Sequence, residues 1–244
     1  MESLETNIKI FLKGIRNALG LPALLLFSAM TGFGSIAQEQ GLSIYISILS
    51  TILIWGLPGQ VVYVELYGLG APLIPIVLAV AGANARFMPM TLSMMPVFDD
   101  SPHNRLWNYF LAHFISINTW SEMISRGNQI RADRRIAYFL GFSFTCMIAG
   151  LIGVFQGYIL AESMPQIISL GLIFLVPIYF SLIMSNTKKS QYVMALILGS
   201  LLGPPMHILT PEWGLLISGV ISGSLSFIFG KRLKEFLRKK VLDG

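Results

Sequence analysis

Two consecutive apolar segments, each long enough to cross a bilayer, are interrupted near mid-length. The interruptions lie within residues 56–96 (GLPGQVVYVELYGLGAPLIPIVLAVAGANARFMPMTLSMMP). The first break is Gly56-Leu57-Pro58-Gly59-Gln60, and the second segment carries Asn84, Arg86 and Pro89. A proline inside a helix removes a backbone hydrogen bond. In hydrocarbon the freed carbonyls need partners, so such breaks persist only inside protein or beside a wet cavity. The pattern therefore predicts a membrane transporter whose binding site lies at the breaks.

Composition supports a membrane protein. The chain has 244 residues, of which 54% are hydrophobic and only 12% are charged, whereas ordinary globular chains are about 25% charged. A soluble domain this apolar could not cover its own surface. We expect an all-α polytopic membrane protein with about eight transmembrane helices, two of them broken at mid-membrane.

Eight apolar segments approach or exceed the roughly 20 residues that a membrane-spanning helix needs. They cover about 20–37, 43–67, 72–98, 106–125, 136–160, 166–185, 190–209 and 212–230. Seven spans, with one broken segment re-entrant, is the main alternative. Residues 1–19 precede this transporter domain (20–230) and have the pattern of an amphipathic helix on the inner leaflet. A solvated extension of the first span fits them equally well.

The basic residues indicate the topology. With the N-terminus inside, 15 of the 17 Lys and Arg fall on the cytoplasmic side, including a basic tail at 231–244, while Arg105 lies outside and Arg86 within the membrane. This distribution obeys the positive-inside rule. It predicts a multi-pass protein of the cytoplasmic (inner) membrane with both termini in the cytoplasm.

Arg86 is the sharpest candidate for a binding residue. An arginine at mid-membrane costs about 3 kcal/mol on insertion scales and by default indicates function. Its planar guanidinium binds a carboxylate through two hydrogen bonds. The alternative is a structural ion pair with Glu122 or Glu65. Asn84 is positioned to satisfy either freed backbone groups or the polar atoms of a substrate.

Gly59 and Gln60 end the first break. A half-helix that begins there points its amides and its positive dipole end into the cavity, which suits an anionic group. The alternative is a simple proline kink.

Three residues are candidates for proton coupling. On the fourth segment, Glu122 is polar in an apolar run, and burial would favour its protonated form. An interfacial position is the alternative for Glu122. Glu65 and His113 are weaker candidates, and a histidine in such a run also occurs as a hydrogen-bonded core residue.

Enzyme motifs are absent from the sequence. There is no phosphate-binding loop of the Gly-rich type followed by Lys-Ser/Thr, and no His or Cys cluster has metal-ligand spacing. We therefore expect neither an enzyme nor a bound cofactor or metal.

The order of these motifs resembles the AzlC-type branched-chain amino acid exporter family (LIV-E). The resemblance rests on Gly32-Phe33-Gly34, Ala37, Gly41-Leu42-Ser43, the break that ends at Gln60, and Asn84-Ala85-Arg86. Because the break is a variant of the family's Ala-Gly-Ala-Ser-Gln run, the chain is similar to a divergent subgroup. The resemblance implies proton-driven export of branched-chain or similar apolar amino acids. It also implies a small hydrophobic AzlD-type partner subunit.

The expected function is thus alternating-access transport, with Arg86 on the substrate carboxylate and with Gln60 and Asn84 on its polar atoms. A non-transporting scaffold or regulatory subunit of a membrane complex is the alternative from another class, and a passive channel is a third.

Overall fold

The computed structural model describes residues 2–99, 106–185, 190–209, 214 and 217–229. The described residues form twelve α-helices and short 3₁₀ turns, with no strand. The helices are α1 Glu2–Ala18, α2 Leu21–Glu39, α3 Ile44–Ile54, α4 Leu57–Gly68, α5 Leu73–Asn84, α6 Phe87–Met94, α7 Trp107–His113, α8 Ile117–Arg126, α9 Arg135–Leu160, α10 Gln166–Ser185, α11 Ser190–Leu209 and α12 Ile217–Phe229.

Both breaks predicted from the sequence are present, and a proline explains the position of each. Pro58 has no N–H for the carbonyl of Ile54, where α3 ends. Pro89 likewise has none for Ala85, where α5 gives way to α6. The ring of a proline also clashes with the carbonyl four residues earlier. The second pair of helices, with the 3₁₀ turn that ends at Phe98, bends by 44° at its break.

A third break divides the fourth segment, which the sequence predicted as a single helix over 106–125. α7 ends at His113 and α8 begins at Ile117. This break contains no proline. Ser116 instead caps α8 by accepting from the Thr119 amide, and the Thr119 hydroxyl accepts from the Ser116 amide. Such a capping box satisfies two amides that a helix start leaves free. The expectation of two broken segments is therefore corrected to three.

By length and composition, two helical stretches of the described chain suffice to cross a membrane: Leu21–Glu39 and Ala132–Ser163. The bent pair α5–α6 is a third if it forms one span. The predicted count of eight spans is not confirmed. Arg105, the start of the eighth segment and the basic tail 231–244 lie outside the described residues.

α9 is the scaffold of the first part of the chain, and glycines bring α1 and α2 against it. A methyl group at Gly14 or Gly34 would strike the backbone of α9. A methyl group at Gly153 or Gly157 would strike the backbone of α2 in the same way. These small residues let the helices approach at backbone distance. We call this contact the α9 seam.

The α9 seam also shows that α2 and α9 run in the same direction, since Gly153 lies on Phe27 and Gly157 lies on Thr31. Three apolar segments separate the two helices in sequence. If α2 and α9 both cross the membrane, parallel neighbours require an odd number of crossings between them. The parallel direction of α2 and α9 therefore favours three crossings, one by each broken segment. The alternative, in which one of these segments is re-entrant, would give only two crossings.

The chain divides into two compact units, Met1–Ile178 and Tyr179–Gly244. Within the second unit, Gly199 of α11 lies against Ser222 of α12. Ser218, Ser222 and Ser226 recur every fourth residue and are buried, so they share one face of α12. All the candidate site residues fall in the first unit.

Replacing Gly157 by alanine should destabilise the protein, because the added methyl group collides with the backbone carbonyl of Thr31. Overpacking of this kind costs about 1–3 kcal/mol. Thermal unfolding in detergent measures the loss. Gly171→Ala is the matched control, since a methyl group there meets no described atom within 4 Å. Equal unfolding temperatures for the two variants would contradict the α9 seam.

Candidate binding site at three helix breaks

The three helix breaks lie next to one another. The side chain of Asn84, at the end of α5, packs against Gly56 and Gly59 at the start of α4, so that a methyl group on Gly56 would lie 2.6 Å from Asn84 Oδ1. His113, at the end of α7, forms a 2.8 Å hydrogen bond through Nε2 with the carbonyl oxygen of Ile52 near the end of α3. We call Trp55, Gly56, Gly59, Gln60 and Asn84 the break site.

Gln60 is completely buried, although it is a polar residue beside a helix break. Its Nε2 donates a 2.7 Å hydrogen bond to Oγ1 of Thr51 on α3. Its Oε1 has no hydrogen-bond partner among the described residues. The amide is therefore fixed by a hydrogen bond from its NH₂ group, and its oxygen is available to accept a hydrogen bond from a ligand.

Unpaired polar atoms concentrate at the break site. In the described chain, five buried side-chain atoms lack a hydrogen-bond partner, and three belong to this site: Trp55 Nε1, Gln60 Oε1 and Asn84 Oδ1. Leaving such a group unpaired in the interior costs about 1–3 kcal/mol. Water or a bound molecule that pairs with these atoms would remove this cost. The site thus offers both a donor and acceptors to a ligand.

The first turn of α4 adds backbone donors. The cap residue Gly56 provides no side-chain hydrogen bond, and Pro58 has no N–H. The amides of Leu57 and Gly59 accordingly have no partner within the described residues. Free amides at the positive end of a helix favour a negatively charged group.

Trp55 holds a left-handed backbone conformation, with φ 42° and ψ 40°, and ends α3. That conformation is uncommon for a bulky residue and is maintained only where the surroundings enforce it. Here its indole ring packs with Ala18, Phe142 and Cys146 and lies over Gly150. The break at the end of α3 is thereby anchored to the α9 seam.

Arg86 lies beside the break site, next to Asn84 and Ala85 in sequence. Its side chain is exposed, and its guanidinium carbon stands 5.4 Å from the ring centre of Phe87. Asn84 ends α5 and Arg86 directly precedes α6, so the bend between these two helices separates the two side chains. The alternative of an ion pair with Glu122 or Glu65 is not seen in the described residues.

Glu122 belongs to a separate polar cluster that joins α1, α8 and α9. The Tyr138 hydroxyl donates to the Glu122 carboxylate and accepts a 2.7 Å hydrogen bond from Asn17. Arg126 Nε lies 3.4 Å from the same carboxylate. Glu122 is largely buried, with its charge balanced by Arg126. We call these four residues the Tyr138 cluster.

The other two proton-coupling candidates lie apart from that cluster. Glu65 is exposed on α4, six residues beyond Gly59 and hence about 9 Å farther along the helix. His113 is exposed and links two broken segments through Ile52. The described chain has no group of three or more His, Cys, Asp or Glu that could hold a metal ion.

The structure therefore brings Gly59, Gln60 and Asn84 together and places Arg86 next to them, whereas Glu65 lies farther along α4 and Glu122 is bound within the Tyr138 cluster. Sequence reasoning did not identify Thr51, Trp55 or Tyr138. The third break had a readable signal, because Ser116 and Thr119 have capping-box spacing after an apolar run. No sequence signal pointed to Tyr138, since its hydrogen-bond partner Asn17 is 121 residues away along the chain.

Replacing Tyr138 by phenylalanine should lower stability by about 1–3 kcal/mol, because Glu122 and Asn17 both lose a partner in a partly buried site. Asn17→Ala combined with Tyr138→Phe should cost less than the sum of the single effects. Thermal unfolding measures both. Tyr45→Phe is the control, since Tyr45 is 81% exposed. Strict additivity would show that the cluster is not a connected network.

Comparison with known proteins identifies one family. The family model described as AzlC protein matches residues 22–164, which is more than half of the chain. The matched region includes all three breaks, α9 and all of α2 except its first residue. No curated protein and no solved structure matches the sequence.

Proposed function

The chain belongs to the AzlC protein family, and from this premise we propose that it exports branched-chain or similar apolar amino acids. AzlC proteins form a family of integral membrane transporters of branched-chain amino acids. For this chain, we propose a proton-coupled, alternating-access mechanism with the substrate bound at the break site.

The observation that carries the proposal is the meeting of three helix breaks around unpaired donors and acceptors. An amino acid presents a carboxylate and an ammonium group on one carbon. The free amides of Leu57 and Gly59 and the indole N–H of Trp55 are donors. The oxygens of Gln60 and Asn84 are acceptors. Both polar groups of an amino acid therefore find partners within one site.

Arg86 is proposed to hold the substrate carboxylate from the open side of the break site. It is two residues from Asn84, and no described acid neutralises it. An uncompensated guanidinium near the middle of a membrane segment is unfavourable. A bound carboxylate would relieve that cost through a charge-assisted pair of hydrogen bonds.

The transport cycle is proposed to move the broken segments against the α9 seam. The seam packs backbone against backbone and is therefore the stiff part. Glu122 is proposed to carry the coupling proton, with Glu65 and His113 as weaker candidates. Protonation would remove the negative charge of Glu122 and so weaken the charge-assisted hydrogen bond from Tyr138, which joins α9 to α8. Helix breaks provide hinges for such motion.

We also propose an AzlD-type partner, a small hydrophobic membrane subunit, at the exposed apolar face of the third segment. Leu73, Ile74, Leu78, Met88 and Leu92 are each at least 65% exposed there. The basic residues favour insertion in the cytoplasmic membrane with both termini inside.

Replacing Arg86 by alanine should abolish saturable leucine flux in proteoliposomes under an imposed pH gradient, because the carboxylate loses its charged partner. Arg86→Lys should retain part of the flux, since an ammonium keeps the charge but not the planar fork. Flux is measured with and without a co-expressed small partner subunit. Arg131→Ala is the control, because Arg131 is 70% exposed and pairs only with Asp133 in the described structure. If folded wild-type protein moves no amino acid under any of these conditions, the scaffold alternative replaces the transporter.

Replacing Glu122 by glutamine should uncouple transport from the pH gradient. The amide still accepts from Tyr138 but cannot gain or lose a proton. Leucine exchange at equal pH on both sides should then persist, while uphill movement driven by the gradient should be lost. Measuring radiolabelled leucine exchange and gradient-driven flux on the same vesicles distinguishes loss of coupling from loss of transport. Uphill transport by the variant would exclude Glu122 as the coupling residue.

A further inference from the structure

Thr51 determines which end of the Gln60 amide is left without a hydrogen-bond partner. The Thr51 hydroxyl donates its proton to the Ser47 carbonyl, at 2.9 Å. Its oxygen can then only accept a further hydrogen bond. The group that approaches it from Gln60, at 2.7 Å, must be the NH₂ end of the amide. The oxygen and nitrogen of the Gln60 amide, which are similar in shape, are thus distinguished by this hydrogen-bond network.

The oxygen of Gln60 is consequently turned away from Thr51. It is buried and has no partner in the described structure. It belongs to the first turn of α4, against which the side chain of Asn84 packs at Gly59. Asn84 Oδ1 is buried and unpaired in the same way. The break site thus holds two buried, unpaired carbonyl oxygens, and Thr51 fixes the direction of the one on Gln60.

We propose that Gln60 Oε1, oriented by Thr51, accepts a hydrogen bond from the α-ammonium group of the substrate. This inference rests on the proposed function and adds to it the direction in which the substrate lies in the site. A carbonyl oxygen attracts a cationic N–H and repels a carboxylate, so the ammonium end of the amino acid lies toward α3. Thr51 acts as a positioning residue, because its effect reaches the substrate only through Gln60.

The same chemistry would suit another small cation, such as Na⁺. Hard metal cations are bound by several oxygen ligands, as calcium and magnesium sites show, and only two unpaired side-chain oxygens are found here among the described residues. An ammonium group, which needs at most three acceptors, is matched more closely by this site. The ammonium group is therefore the occupant that we propose.

The test is equilibrium binding of three ligands to the purified full-length protein in detergent. Leucine carries both polar groups, isopentylamine carries only the ammonium, and 4-methylpentanoate carries only the carboxylate. In Thr51→Val, which removes the acceptor but keeps the shape, binding of leucine and isopentylamine should weaken about tenfold or more, because a hydrogen bond to a charged group is misaligned. Binding of 4-methylpentanoate should not change.

Two variants control for damage to the fold. Thr51→Ser keeps the hydroxyl and should bind all three ligands as the wild type does. Ser50→Ala removes a buried hydroxyl of the same helix that bonds only to the Ser47 carbonyl in the described structure, and it should also leave binding unchanged. If Thr51→Val alone loses affinity for the two amines, the loss is due to the orientation of Gln60 and not to the packing of α3.

Several outcomes would overturn the inference. Equal weakening of all three ligands, or no change in Thr51→Val, would show that the amide does not face the ammonium. A requirement for Na⁺ in leucine binding, with a Na⁺ dependence that Thr51→Val shifts, would assign the oxygens to the metal. If wild-type protein transports leucine but Thr51→Val binds it normally, only this inference fails. If the wild type neither binds nor moves any of the three, the proposed function fails with it.

Discussion

The structure depends on one constraint, which is that backbone polar groups in a hydrocarbon environment must find partners inside the protein. Pro58 leaves the Ile54 carbonyl at the end of α3 without its usual helical donor. At the other two breaks, short turns pair the carbonyls of Ala85 and Leu111 with the amides of Met88 and Phe114. Placing the three breaks side by side lets side chains satisfy part of that demand, as His113 does for Ile52. The groups that remain unpaired are the ones available to a substrate. The proposed function therefore depends on the same unpaired groups that destabilise the breaks.

The α9 seam and the broken segments differ in stiffness. The α9 seam is continuous, close-packed and free of proline over the length of α9. The broken segments are short helices with polar ends, and few side chains of α5 are buried. Trp55 and the Tyr138 cluster join the two parts. Apolar packing joins them as well, with Leu57 and Val64 of α4 against α2 and with Leu111 and Phe114 against Phe139 of α9.

The sequence predicted those features that depend on residues close together along the chain. Two breaks followed from their prolines, the helical class followed from composition, and Gly59, Gln60 and Asn84 were expected to act together. The third break was missed because it contains no proline. Arg86 was expected to bind the substrate carboxylate together with Gln60 and Asn84; its side chain is exposed next to the site, and its role stays a prediction. The role of Thr51 and the link from Tyr138 to Asn17 depend on which helices become neighbours, and periodicity within one segment carries no information about that.

The most direct test of the central claim is substrate protection at the break site. Cys146 is the single cysteine of the chain, so a Cys146→Ala background can carry one new cysteine at Ala85, which is exposed between α5 and α6. We predict that leucine slows the reaction of this cysteine with a water-soluble maleimide. A cysteine placed at Leu73, which is 74% exposed at the far end of α5, should react at an unchanged rate. If leucine is transported but protects neither position, the substrate binds elsewhere and the break site is not the transport site.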